Sequence, residues 1–185
     1  MHKLRLAFIC IGLATSFTAI ASEAMASDAR AKDGVALFKS FCVATAGDKA
    51  RALSVLGEGN ALARRLPEAA TTALFGKSGG VAWALSSPSQ AQLLLAYNPI
   101  GICEVRIAEA DEAAVIGQFH ALTTSLSTSS SGNSGKPEKR RQGNANLTYE
   151  TFNYEVGGQK ALLAITTSDQ RVGEQQHVIT FSFVS

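Results

Sequence analysis

Residues 102–108 read Ile-Cys-Glu-Val-Arg-Ile-Ala, with Ile102, Glu104 and Arg106 alternating against Cys103, Val105 and Ile107. Successive side chains of a strand point to opposite faces, so this period of two predicts a strand with Cys103, Val105 and Ile107 on its apolar face. Upstream, Phe38, Phe41 and Cys42 fall at i, i+3 and i+4, the spacing of one buried face of a helix. One cysteine therefore faces the core from a helix and another from a strand. That pattern predicts helices packed on a sheet and stapled to it.

Outward from this strand the signals continue. Asn98-Pro99-Ile100-Gly101 is a strong turn, preceded by two short strand candidates, Val81–Leu85 and Gln90–Tyr97. Asp111 starts a helix whose apolar stripe is Val115, Ile116, Phe119, Leu122 and Leu126. On the N-terminal side, residues 27–32 are polar and read as loose, and Asp33 is placed to cap a helix reaching Thr45. Asp48 caps a second helix, Ala50–Leu56, which Asn60–Leu66 would continue. Pro67–Phe75 forms a third, with Gly76 as its stop.

After the Asp111 helix, residues 127–146 are rich in Ser and Gly and then basic, and are expected to be a flexible linker. Leu147–Val156, Lys160–Thr167 and His177–Val184 then read as three strands, the first two joined at Gly157-Gly158. The resulting order is helices, three strands, a helix, a loop and three strands. It predicts an α+β class, with N-terminal helices packed on a mostly antiparallel sheet of about six strands.

The first 26 residues read as an address. Lys3 and Arg5 precede an apolar run from Leu6 to Ala21, and small-x-small cleavage sites end at Ala21 and Ala26. That is the pattern of an export signal, and the run is short for a membrane-spanning helix. Residues 27–185 are then expected to form a single domain without a transmembrane anchor, periplasmic or secreted. Cys10 lies inside the apolar run, without a lipoprotein cleavage motif before it, and would leave with the signal.

The 185 residues include 17 Lys and Arg, 15 Asp and Glu, and three cysteines. The small net charge of +2 speaks against a nucleic-acid partner. Three cysteines are too few for a disulfide-dense mini-protein or a four-cysteine zinc site. Without Cys10, Cys42 and Cys103 remain, and an even pair in an exported chain is most simply a disulfide. It would close a loop of roughly 60 residues, worth about 4 kcal/mol by chain entropy. Redox chemistry, free thiols and metal binding compete with that reading. The spacing is not Cys-x-x-Cys, and only His120 and His177 remain as further soft ligands outside the signal.

Catalytic motifs are scarce. Gly76-Lys77-Ser78 matches the tail of a phosphate-binding loop but lacks its first glycine and reads as a helix-end turn. His120 is the best acid–base candidate, requiring a carboxylate brought round by the fold. Trp83, Tyr97, Tyr149, Phe152 and Tyr154 read chiefly as core, although Tyr149 and Phe152 cannot share one face of a regular strand. Lys136, Lys139, Arg140 and Arg141 form a basic run that could meet an anionic partner. No cofactor or metal is expected.

The helix motif Phe-x-x-x-Cys (Phe38–Cys42), the strand with Trp83 and the motif Gly-x-Cys-x-Val (Gly101–Val105) resemble a family of small exported proteobacterial proteins of undefined activity. The resemblance spans roughly residues 33–126. It implies a periplasmic or secreted protein, some members being substrates of secretion systems that act in host cells, and it carries over no catalytic residue. The expectation is an exported, non-enzymatic, disulfide-stapled domain that binds a protein or an envelope component. The alternatives are a secreted effector and a small envelope enzyme using His120.

Overall fold

The structure, a computed structural model, describes residues 17–57, 60–76 and 79–184. Most of the expected export signal, with Cys10, lies outside the described residues, as do Lys77 and Ser78. Helix α1 spans Phe17–Phe38 and runs directly into a π-helical turn, Lys39–Val43. The order continues α2 (Lys49–Val55), β1 (Ala63–Arg65), α3 (Glu68–Phe75), β2 (Val81–Ser86), β3 (Gln92–Tyr97), β4 (Cys103–Ile107) and α4 (Glu112–Ser127). The chain ends in β5 (Asn133–Ser134), β6 (Glu138–Gln142), β7 (Ala145–Val156), β8 (Gln159–Ser168) and β9 (His177–Phe183).

All nine strands join one sheet in the order β1-β2-β3-β4-β9-β8-β7-β5, with β6 also paired to β7, and every pairing is antiparallel. The α+β class holds, but nine strands replace the expected six. The six anticipated ones are β2, β3, β4, β7, β8 and β9. The additions are β1, where a helix was expected, and β5 and β6, inside the stretch expected as a flexible linker. None of the three carries an apolar alternation: β1 buries only Ala63, and every residue of β5 and β6 is exposed. Backbone pairing to β2 and β7 forms them, and composition does not record it.

The N-terminal boundary also differs. Asp33 does not cap a helix but lies within α1, because the polar stretch 27–32 is rich in good helix formers. Its carboxylate accepts a hydrogen bond from the Ser89 amide at 3.1 Å instead. The expected caps elsewhere are present. Asp48 accepts from the Ala50 amide and Asp111 from the Ala114 amide. Asn98 Oδ1 accepts from the amides of Ile100 and Ile102, closing the turn into β4. Gly157 and Gly158 both have positive φ, as a two-residue hairpin turn requires.

Register explains the core. Val81, Tyr97, Cys103, Phe181, Leu163 and Phe152 stand in one row across β2, β3, β4, β9, β8 and β7. Trp83, Leu95, Val105, Ile179 and Ile165 form the next. Against this face α1 packs on β3, β4 and β9, and α4 packs on β7 and β8. Val115, Phe119 and Leu122 of α4 and Ala31, Val35 and Phe38 of α1 are buried there. Cys42 and Cys103 are bonded across the interface with Cα atoms 5.5 Å apart, joining the π-helical turn to β4.

Candidate functional site

Both long helices pack on one face of the sheet; on the other, termed the open face because neither covers it, Ala82, Ala96, Glu104 and Ala164 are buried, and the neighbouring row is partly exposed. Alternation puts Glu104 and Arg106 on this open face, opposite Cys103, Val105 and Ile107. Register then extends a row through Arg64, Ala84, Leu94, Arg106, Val178, Thr166 and Tyr149. Ala84, Leu94, Val178, Thr166 and Tyr149 are all only half-buried. The row mixes apolar side chains with Arg64, Arg106 and Thr166, and it stays accessible from β1 to β7.

At the β1 end this face deepens into a groove of about 690 Å3. Ala84 and Leu94 line it from the sheet, Leu74 from α3, and Val172 and Gln175 from the turn between β8 and β9. Three guanidinium-bearing residues line it: Arg64 on β1, Arg106 on β4 and Arg171 on the β8–β9 turn. Glu174 also lines it. Arg106 Nε donates to Glu104 Oε1 at 2.7 Å, so its charge is partly answered within the strand. Arg171 Nη2 donates to the Glu174 backbone carbonyl at 3.3 Å. Among the described residues, no carboxylate lies within ion-pair distance of Arg64 or Arg171. A smaller recess of about 100 Å3 shares Gln92, Ala108 and Arg171 with the groove.

The basic run does not make one patch. Lys136 precedes β6, and Lys139, Arg140 and Arg141 lie on it, all exposed. Register sets Arg140 opposite Leu147 and Lys139 opposite Thr148, on opposite faces of the sheet. Arg140 pairs with Glu138 at 2.8 Å and, with Leu147, Tyr149 and Thr166, lines a second recess on the open face. Arg141 Nε donates to the Gly143 carbonyl. Cations on a paired outer strand also discourage further strand addition.

His120, on α4, meets Glu150 of β7 with Nε2 2.6 Å from Oε2. The fold thus supplies a carboxylate, though from β7 and not from the Asp111–Glu112 end of the helix. Glu112 is engaged elsewhere, accepting from the Thr167 hydroxyl at 2.7 Å. The His120 side chain is 56% exposed, and the pair sits on the helix-covered side, away from the groove. His177 is fully buried, with Nε2 3.1 Å from the Ala110 carbonyl oxygen. Burial pushes its pKa below the ordinary value, against the backbone hydrogen bond at Ala110 and the charges of Glu112 and Asp111.

The aromatic residues divide as strand alternation requires. Phe152 and Tyr154 are buried and stacked with ring centroids 5.8 Å apart, whereas Tyr149 stands on the open face. Trp83 and Tyr97 are buried in an edge-to-face pair, and the Tyr97 hydroxyl donates to the Phe41 carbonyl at 2.8 Å. Burial pushes the Tyr97 phenol up to about 12. Among the described residues no group of three or more His, Cys, Asp or Glu side chains could hold a metal ion. None of the described helices is long and apolar enough to cross a membrane.

The arginines of the groove were not singled out from sequence. Arg64 and Arg106 are separated in the chain by α3 and two strands, β2 and β3, and only the register aligns them. The available signal was the polar half of the β4 alternation, which said that one sheet face carries Glu104 and Arg106. Comparison with protein-family models, curated proteins and solved structures finds no match.

Proposed function

We propose that this chain is an exported recognition domain, cross-linked by Cys42–Cys103, that binds an envelope component through the open face of its sheet. The observation that carries the reading is the half-exposed row Ala84, Leu94, Val178, Thr166 and Tyr149, which leads into an arginine-lined groove. Apolar floor with a few convergent polar groups is the usual composition of a ligand site. Export is supported by the N-terminal charge and hydropathy pattern, and by a disulfide of the kind that oxidising compartments keep.

Co-sedimentation with isolated envelopes tests the reading, comparing the parent protein with Val178→Lys. Val178 is half-buried at mid-sheet on the open face, so a lysine there can extend outward along it while the fold is retained. Loss of sedimentation in a variant with unchanged circular dichroism is expected. Equal sedimentation of both proteins would remove the open face from the reading.

A second reading, a small envelope enzyme, is favoured by one observation, the His120–Glu150 contact. A carboxylate that orients an imidazole is a familiar acid–base arrangement. The exposed ring has no place on the wall of the arginine groove, so recognition is the preferred reading.

A further inference from the structure

The groove has an internal symmetry of charge that narrows what it can hold. Arg64, Ala84, Leu94 and Arg106 are consecutive partners across β1, β2, β3 and β4. Three strand spacings separate the two arginines, about 14 Å at ~4.8 Å per spacing. Between them lie only a methyl group and an isobutyl group. Leu74 of α3 forms one wall, and Arg171 stands on the β8–β9 turn at another.

We propose that this trough binds a single-chain amphiphile with an anionic head group, the chain lying over Ala84 and Leu94 and the head meeting Arg64 or Arg171. The inference rests on the reading of the open face as a recognition surface and names its ligand class. Four features select this class. The volume of about 690 Å3 falls within the usual range for a small-molecule site. Ala84 and Leu94 make the floor between the arginines apolar, which suits an alkyl chain, while the polar side chains of Gln92, Glu174 and Gln175 lie elsewhere on the lining. The cations stand at the margins, where a head group keeps contact with water, and a guanidinium fork fits a carboxylate or phosphate in bidentate fashion. Glu174 and the Glu104–Arg106 pair limit the net positive charge, which suits one anionic group better than a polyanion.

Titration calorimetry on the full chain tests the proposal with dodecanoate, dodecyl phosphate and dodecanol as probes, each below its aggregation range. Both anions are expected to bind one per chain at least tenfold more tightly than dodecanol. In the double variant Arg64→Gln/Arg171→Gln, both at exposed positions, anion binding should weaken at least tenfold and dodecanol binding should not change. Leu94→Ser should weaken all three probes. Equal affinity for anion and alcohol, or anion binding indifferent to the double variant, would overturn the proposal. So would a deca-glutamate peptide that matches the amphiphiles and is lost in the same variant, since that would make the face a dock for acidic protein. If no amphiphile binds while envelope sedimentation still depends on Val178, the ligand class falls and the recognition reading stands.

Discussion

Cys42 and Cys103 are bonded across the interior, from the π-helical turn after α1 to the first residue of β4, and both are fully buried. The bond closes a loop with a sequence separation of 61, for which chain entropy gives about 4 kcal/mol. The double variant Cys42→Ala/Cys103→Ala is therefore expected to lose roughly that much in urea unfolding. Reductant should bring the parent protein close to the variant and leave the variant unmoved. A loss under ~1 kcal/mol would mean that the unfolded chain is little constrained by the link.

Gly34 of α1 lies directly against the Ile107 side chain of β4. A Cβ on residue 34 would overlap the Ile107 side chain, which is fully buried and has nowhere to move freely. Gly34→Ala should gain up to ~1 kcal/mol from helix propensity. Overpacking costs ~1–3 kcal/mol and is expected to win. Ile107→Val removes the δ-methyl that is overlapped, so the double variant should recover part of the loss. Additive effects in the double-mutant cycle would show that the two residues do not compete for one space.

Legibility followed side-chain burial. β4 and the Phe38–Cys42 face were readable because apolar residues recur at every second position or on one helical stripe, and composition records that, although Glu104 is buried as well. The disulfide followed from the even cysteine pair left once Cys10 is set aside with the export signal, and those two faces agreed with it. β1, β5 and β6 were not readable, since Arg64, Arg65 and the residues of β6 are exposed and only backbone pairing holds them. The groove was unreadable for a related reason. Its arginines converge through the register of four strands, a long-range property that no local pattern carries. His120 was singled out but its carboxylate was not, because Glu150 reaches it only when β7 lies beneath α4.

Proteolysis separates a paired strand from a turn. Lys139, Arg140 and Arg141 lie in β6, hydrogen-bonded to β7, whereas Arg171 lies in the turn between β8 and β9. A protease needs a locally opened chain, and opening β6 means breaking its ladder. Trypsin under native conditions is expected to cleave after Arg171 before it cleaves within Lys139–Arg141. Mass mapping of the first fragments decides it, and initial cleavage within β6 would show that its pairing opens more readily than the turn.

His177 makes the protein acid-sensitive in a defined direction. The ring is fully buried in β9 under Ala110, and burial lowers its pKa from the ordinary 6.5, against the opposing pull of the Ala110 carbonyl, Glu112 and Asp111. The folded state therefore holds the neutral ring where the unfolded chain would take a proton. Above about pH 6.5 neither state is protonated, and the full contribution of the neutral ring to stability is present. Below it the unfolded chain binds one more proton than the folded one, and stability falls by up to about 1.4 kcal/mol per pH unit. The fall ends once the pH passes below the folded pKa, where both states are protonated. His177→Leu removes the titration at the cost of the Ala110 hydrogen bond. Unfolding free energies measured from pH 7.5 to 5 should therefore decline less steeply in the variant, whatever its offset. Parallel curves would mean that the buried imidazole takes up its proton without unfolding.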